Sequence, residues 1–326
     1  MFAVRYDMRC PAWSPTPPEA LYAAALEQAA FVDRHGLGVV VVSEHHASPD
    51  GYLPSPLVMA AAVAAVTTST HISVAALLPT LYDPVRLAED VAVLDLVSGG
   101  RISLTLGLGY RREEYDLLGV PWAGRGRRLD ACIEVLLRAW SGERFEWEGR
   151  TVELRPLPVQ RPHPLLFVGG SSVAAARRAA RFGLGLLPTT DDPALRDAYL
   201  AECERLGRDP GLVAAPTGPA MVHVAEDPDR AWAEIGPHIL HDAQQYDSWQ
   251  PAGQRTLVTG GAVDSVEALR ADGRYRIVTP EECVALVRAH GSVILHPLIG
   301  GLSPDLSWPS LQLVVDRVRP LVAGGG

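Results

Sequence analysis

Cysteine is scarce, four in 326 residues, and Cys10, Cys132, Cys203 and Cys283 are scattered with no CxxC pair. That excludes a zinc knuckle and a redox dithiol, so reduced structural thiols are expected. No apolar run of about 18 residues escapes a charge or a proline, so no transmembrane helix and no membrane partner are expected. The amino terminus, MFAVRYDMRCP, lacks the basic, apolar and small-residue stretches of a secretory leader, which makes the cytoplasm the expected location. Basic charge is in deficit: the net charge is -9 and the pI about 5.6, an argument against a nucleic-acid partner. HExxH is missing, and no third ligand is spaced to join the histidines in a metal site, so no metal is expected. Gly107-Leu108-Gly109-Tyr110 starts like a dinucleotide fingerprint, but Arg112 stands where the third glycine belongs.

What the chain has is apolar content, 48%, enough for a large core. Its central stretch is Val39 to His46, VVVVSEHH. Four β-branched residues make a strand buried on both faces, and an acid and two histidines follow. At the carboxyl end of a barrel strand, Glu44, His45 and His46 stand where chemistry is done. The bland alternative is that they only end the strand and bond nearby loops. Neighbouring strand residues point to opposite faces, so His45 and His46 do not serve one ligand without a bulge. A general acid-base or hydrogen-bonding histidine is the better reading.

Taken in order, Phe2 to Tyr6 reads as a strand. Pro18 to Gly36 reads as a helix with Leu21, Ala25, Ala29 and Val32 on one face. A helix at Leu57 to Thr68 and a strand at Ile72 to Leu78 follow. Asp83 then caps a helix striped with Leu87, Val91 and Leu94 and stopped at Gly99. Such alternation predicts a parallel sheet with helices outside. Ile102 to Leu106 is the fourth strand, and the long charged segment before the helix at Leu129 belongs to a catalytic face. Residues 143–154 alternate like a hairpin. Further strands fall at Leu165–Val168, Leu184–Leu187, Ala220–Val224 and Val293–Leu295, and Thr279-Pro280-Glu281-Glu282 starts a helix. Eight strands favour a (β/α)8 TIM barrel, α/β in class, with a long insertion before the last strand. One domain over residues 1–326 is expected, with an aperiodic excursion at about 249–279.

Gly169, Gly170, Ser171 and Ser172 lie between a strand and a helix. Backbone N–H groups and the helix dipole can hold a phosphate there, although simple turn chemistry explains the pattern as well.

Together, VVVVSEHH, AALLPTLYDPVRLAEDVAVLDLVSGGRISLTLGLGY, GRGRRLD and FVGGSS resemble the bacterial luciferase-like family of flavin-dependent monooxygenases and deazaflavin-dependent oxidoreductases. GPHILHDAQQYDSW and ILHPLIGGLSPDLSWPSL extend the likeness toward the end. The resemblance implies a flavin-dependent oxidoreductase, a two-component monooxygenase that takes reduced FMN from a separate reductase and uses oxygen on a small organic substrate. Its alternatives are hydride transfer with a deazaflavin coenzyme and a barrel that binds flavin without turnover. By the same likeness His45 is the catalytic histidine, and Glu44 orients its ring. Ala75-Ala76 is the bulge behind the flavin ring, often with a cis peptide. Gly107, Gly109 and Tyr110 line the fourth strand, and Gly169, Gly170 and Ser171 form the phosphate loop. Many relatives carry an arginine where this chain has Leu108, so Arg128, or after it Arg125, is expected to supply the phosphate's positive charge. The expected assembly is a homodimer. The loops at 47–56, 110–124 and 249–279 shape the substrate pocket without naming its occupant.

Overall fold

The structure is a computed structural model that describes residues 1–250, 256, 258, 260, 261 and 263–323. Strands and helices alternate from the start: β1 (Phe2–Tyr6), α1 (Pro18–Arg34), β2 (Gly38–Val42), α2 (Pro56–Val66), β3 (His71–Leu77), α3 (Pro84–Ser98) and β4 (Ile102–Leu106). Next come α4 (Arg112–Leu117), α5 (Arg125–Ser141), the antiparallel pair β5 (Phe145–Trp147) and β6 (Arg150–Val152), β7 (Leu165–Gly169), α6 (Val173–Phe182), β8 (Gly185–Leu187) and α7 (Pro193–Arg205). The remainder is β9 (Met221–Val224), α8 (Pro228–Trp249), α9 (Val266–Asp272), β10 (Tyr275–Val278), α10 (Pro280–His290), β11 (Val293–Leu295), α11 (Pro304–Leu313) and α12 (Arg319–Ala323).

Local chemistry accounts for these boundaries. Leu21, Ala25, Ala29 and Val32 of α1 are all fully buried. Asp83 caps α3 by accepting from the N–H groups of Val85 and Arg86, and Gly99 ends it in the left-handed region. Such caps each stabilise a helix by about 1 kcal/mol. Asp192 and Asp227 cap α7 and α8 in the same way, and Thr279 with Glu282 closes a reciprocal capping box on α10. The α5 helix starts at Arg125 rather than at Leu129, which puts the basic cluster inside its first turn. The charged segment before it holds the extra helix α4.

The chain divides into two compact units. The first comprises Met1–Val41, Ser48–Leu53 and the chain from Thr217 onward, and the second Val42–Ala47 and Pro54–Pro216. In the first unit β10, β9, β11, β1 and β2 are adjacent in that order, and the registers of β1 with β11 and of β9 with β10 and β11 are parallel. Its core forms where Met221, Tyr275 and Ile277 meet Trp232, Ile235 and Ile239 of α8. In the second unit β3, β4, β7 and β8 are adjacent and parallel. One strand was not expected: Tyr275–Val278 pairs residue for residue with Met221–Val224, inside the stretch read as aperiodic. Four residues with a single charged one, Arg276, are too short to show a period of two; their partner strand decides their conformation. Residues 251–255, 257, 259 and 262 of the same stretch lie outside the described residues.

Candidate active site

Strand β2 ends at Val42, so Glu44, His45 and His46 lie just beyond it rather than on it. The Ser43 hydroxyl donates to the Ala75 carbonyl (2.7 Å) and the Glu44 N–H to the Ala76 carbonyl (3.2 Å), which fastens the loop to the end of β3. There the Ala75–Ala76 peptide is cis, and the register with β4 shifts between Ala75 and Leu77.

Two carboxylates are buried at this spot, Glu44 at 2% exposure and Glu114 at 0%. A carboxylate survives there only where donors converge on it. Glu44 accepts from the Leu78 N–H (2.6 Å) and the Tyr82 hydroxyl (2.7 Å), and its Oε1 lies 2.8 Å from His46 Nε2. Burial and the neighbouring Glu44 push the Tyr82 phenol well above its ordinary range. Glu114 Oε1 lies 2.7 Å from His45 Nδ1 and accepts from the His46 N–H (3.2 Å). Arg111 reaches Glu114 at 3.5 Å and donates to the His46 carbonyl at 2.6 Å. His45 Nε2 is 3.3 Å from the Tyr110 hydroxyl, with the two rings set edge to face. The ring of His45 is therefore held by Glu114, and Glu44 holds His46. This differs from the expectation that Glu44 orients His45: the loop past the strand turns Glu44 and His46 toward each other and His45 toward Glu114.

The ends of β3 and β4 carry small residues. Ala75, Ala76, Leu108 and Gly109 are each half-exposed. At Gly107 a Cβ would come within 3.0 Å of Ala76 Cβ, so the strand ends approach as closely as glycine permits. Beside them Thr105 Oγ1 and Glu114 Oε2 are buried with no hydrogen-bond partner among the described residues. The Tyr115 hydroxyl, on α4, donates to the Leu108 carbonyl at 2.5 Å.

Gly169 ends β7, Gly170 has a φ of 136°, and Ser172 caps α6 by accepting from the Ala175 N–H, with half-exposed Ser171 between them. Arg178 of α6 donates to Asp130 at 2.5 Å and to the Gly126 carbonyl at 3.3 Å, tying the start of α5 to α6. Arg128 donates to the Pro121 carbonyl (2.9 Å), and Arg125 stacks on Trp122 at 3.7 Å.

The first unit holds a second polar cluster that no sequence signal announced. Arg9, fully buried, donates to Asp50 at 2.5 Å, and its Nε lies 3.1 Å from Asp242 and 3.5 Å from Asp7. His296 stands 3.3 Å from Asp7 and His241 2.8 Å from Asp50. The Arg9 guanidinium also lies against Tyr52, Tyr246 and Trp249. Burial would raise the Asp7 carboxyl, but His296, Arg9 and Arg5 outweigh it and hold the group well below its usual range. Asp242 is raised, by burial and then by the charge of Asp7. One atom each of Asp7, Asp242 and His296 lie within 4.8 Å of one another, as in a metal site, but the Arg9 guanidinium already supplies a cation against both carboxylates.

The model of the luciferase-like monooxygenase family matches residues 8–293, and the chain belongs to that family. An uncharacterized protein of Mycobacterium tuberculosis is 36% identical over 172 residues, 51% of this chain and 57% of that protein. An FMNH2-dependent dimethylsulfone monooxygenase of Pseudomonas putida is 36% identical over 116 residues, 33% of this chain and 32% of its own length. The chain thus spans about half the length, or less, of these curated relatives. The crystal structure of monooxygenase RslO1 from Streptomyces bottropensis has a TM-score of 0.79 at 24% identity, covering 98% of both chains. The solved structure of an F420-dependent secondary alcohol dehydrogenase in complex with an F420-acetone adduct has a TM-score of 0.70 at 17% identity, covering 99% of this chain and 98% of the other. These likenesses show the fold, and the α/β class of the (β/α)8 barrel type expected from the strand order stands. Among the described residues no helix is long and apolar enough to cross a membrane.

Proposed function

We propose that this chain is a flavin-dependent oxidoreductase, a two-component monooxygenase that receives reduced FMN from a separate reductase and uses it with oxygen on a small organic substrate. The observation that carries the reading is the close meeting of small residues at the ends of β3 and β4, Ala75, Ala76, Gly107 and Gly109, next to the buried loop that bears His45. A flat aromatic ring would lie against backbone and methyl groups there, and the partnerless Thr105 Oγ1 is a polar group that a ligand atom or water can satisfy. Family membership supports a cofactor of the flavin type, and the FMNH2-dependent relative favours FMN.

Bound reduced flavin would supply the electrons and the oxygen activation, and the protein would supply orientation, dryness and proton transfer. His45 moves a proton at Nε2, beside the Tyr110 hydroxyl. Glu44, with His46, Leu78 and Tyr82, keeps the loop in place. N–H groups at Gly169 to Ser171 hold the 5′-phosphate at the start of α6, and Arg128 adds the full charge that Leu108 lacks. The working form is a cytoplasmic homodimer. The F420-dependent neighbour favours a second reading, hydride transfer with a deazaflavin, which needs no oxygen.

Mixing the purified protein with FMN, reduced FMN or a deazaflavin and following the absorbance decides the cofactor. Binding of reduced FMN supports the first reading. Binding of the deazaflavin alone overturns it in favour of the second.

A further inference from the structure

We infer that Glu114 is a positioning residue: it fixes His45 as the tautomer with its proton on Nδ1 and so makes Nε2, beside the Tyr110 hydroxyl, the basic nitrogen. The inference rests on the proposed role of His45 and assigns the group through which that histidine acts.

Geometry determines the direction of the bond. Glu114 Oε1 accepts from the His46 backbone N–H at 3.2 Å, and a backbone N–H only donates. The same oxygen faces the Arg111 guanidinium at 3.5 Å, a second obligatory donor. Oε1 is therefore an acceptor, and His45 Nδ1, 2.7 Å away, is a donor that carries a proton. The lone pair of the neutral ring is then on Nε2, 3.3 Å from the Tyr110 hydroxyl. A proton leaving an O–H at that place passes to Nε2, its bonding pair stays on the oxygen, and the imidazolium formed is stabilised by Glu114. Carboxylates orient catalytic and metal-binding histidines in this way, by setting the tautomer of the ring.

The support around Glu114 is built for the task. Its side chain is fully buried, and α4 carries it with Arg111 just ahead at the helix start. Arg111 donates to the carbonyls of His46 (2.6 Å) and Ala47 (3.3 Å), so the loop bearing the histidine and the helix bearing the acid are clamped together. The charged or titratable groups around His45 include Glu114 and Arg111 from the α4 side, Tyr110 from the end of β4, and the Glu44–His46 pair with Tyr82 on its own side.

The test reads the ring nitrogens by NMR in protein labelled with ¹⁵N-histidine, without flavin, using His45→Ala to assign the signals. In the wild type, neutral His45 should bear its proton on Nδ1, and in Glu114→Ala the Nε2–H form should become the major one. A wild-type ring protonated on Nε2, or a Glu114→Ala ring that keeps Nδ1–H, overturns the assignment. Glu114→Gln keeps the volume where the alanine variant does not fold. Loss of the negative charge should move the acid limb of its kcat/KM profile about one pH unit lower, with KM within about threefold of wild type. An unmoved limb also overturns the assignment. The nitrogen spectrum involves no cofactor, so the tautomer of His45 is read in the same way whether or not flavin proves to be the ligand.

Discussion

Glu44 Oε1 lies 2.8 Å from Nε2 of His46, two residues along the chain, and the same oxygen accepts from the Tyr82 hydroxyl at 2.7 Å. The pair is a fastening, and it leaves His45 between them turned the other way, toward Glu114. Each histidine of the doublet thus has its own carboxylate, which separates what their replacement should do.

His45→Ala should lower kcat by about 10²- to 10⁴-fold, the usual contribution of proton transfer, with flavin affinity changed by less than about threefold. Steady-state kinetics beside a flavin titration checks this. A kcat within about threefold of wild type in a folded variant makes His45 structural.

His46→Ala should act on stability, by about 1–3 kcal/mol, because the buried Glu44 loses one of its partners. Urea unfolding measures it. Turnover per folded molecule should stay within about tenfold of wild type, and a loss equal to that of His45→Ala would contradict the division of labour.

Arg128→Ala should weaken FMN much more than riboflavin, which has no phosphate to lose. Comparing the two dissociation constants in wild type and variant isolates the contact as a double-mutant cycle does. An unchanged FMN-to-riboflavin ratio removes Arg128 from the site and makes Leu108→Arg the next variant to build.

Arg9→Met should cost about 3–5 kcal/mol, because Asp7, Asp50 and Asp242 stay buried without their common cation. Adding Asp242→Asn should recover part of that loss, since the removed charge no longer needs a partner. Two losses that simply add would show that the residues are not coupled.

His223 on β9 is buried, and burial pulls its ring down from 6.5 to about 4. Between those values the unfolded chain binds the proton and the folded chain does not, so stability rises with pH. Its contribution is complete above about 6.5 and is lost as pH falls toward 4, by roughly 3 kcal/mol at most. Thermal melts over that window should show a shallower slope for His223→Leu. Equal slopes would mean that another group dominates.

The elements were legible in the sequence wherever the controlling physics is local. Asp83, Gly99 and Thr279 act within one helical turn, and the burial stripe of α1 is a matter of spacing, so one-dimensional pattern was sufficient. VVVVSEHH likewise announced a strand that ends just before an acid and two histidines. The partner of each histidine was not legible. Glu114 lies 69 residues from His45, on a six-residue helix whose other acids, Glu113 and Asp116, are exposed, and only the packing of α4 on the loop decides which of two adjacent glutamates turns inward. The Asp7, Arg9, Asp50, Asp242 and His296 cluster was hidden for the same reason: each residue reads as an ordinary polar residue in its own segment. A buried charge is tolerated only where opposite charges arrive from elsewhere in the fold, and that meeting exists only in three dimensions.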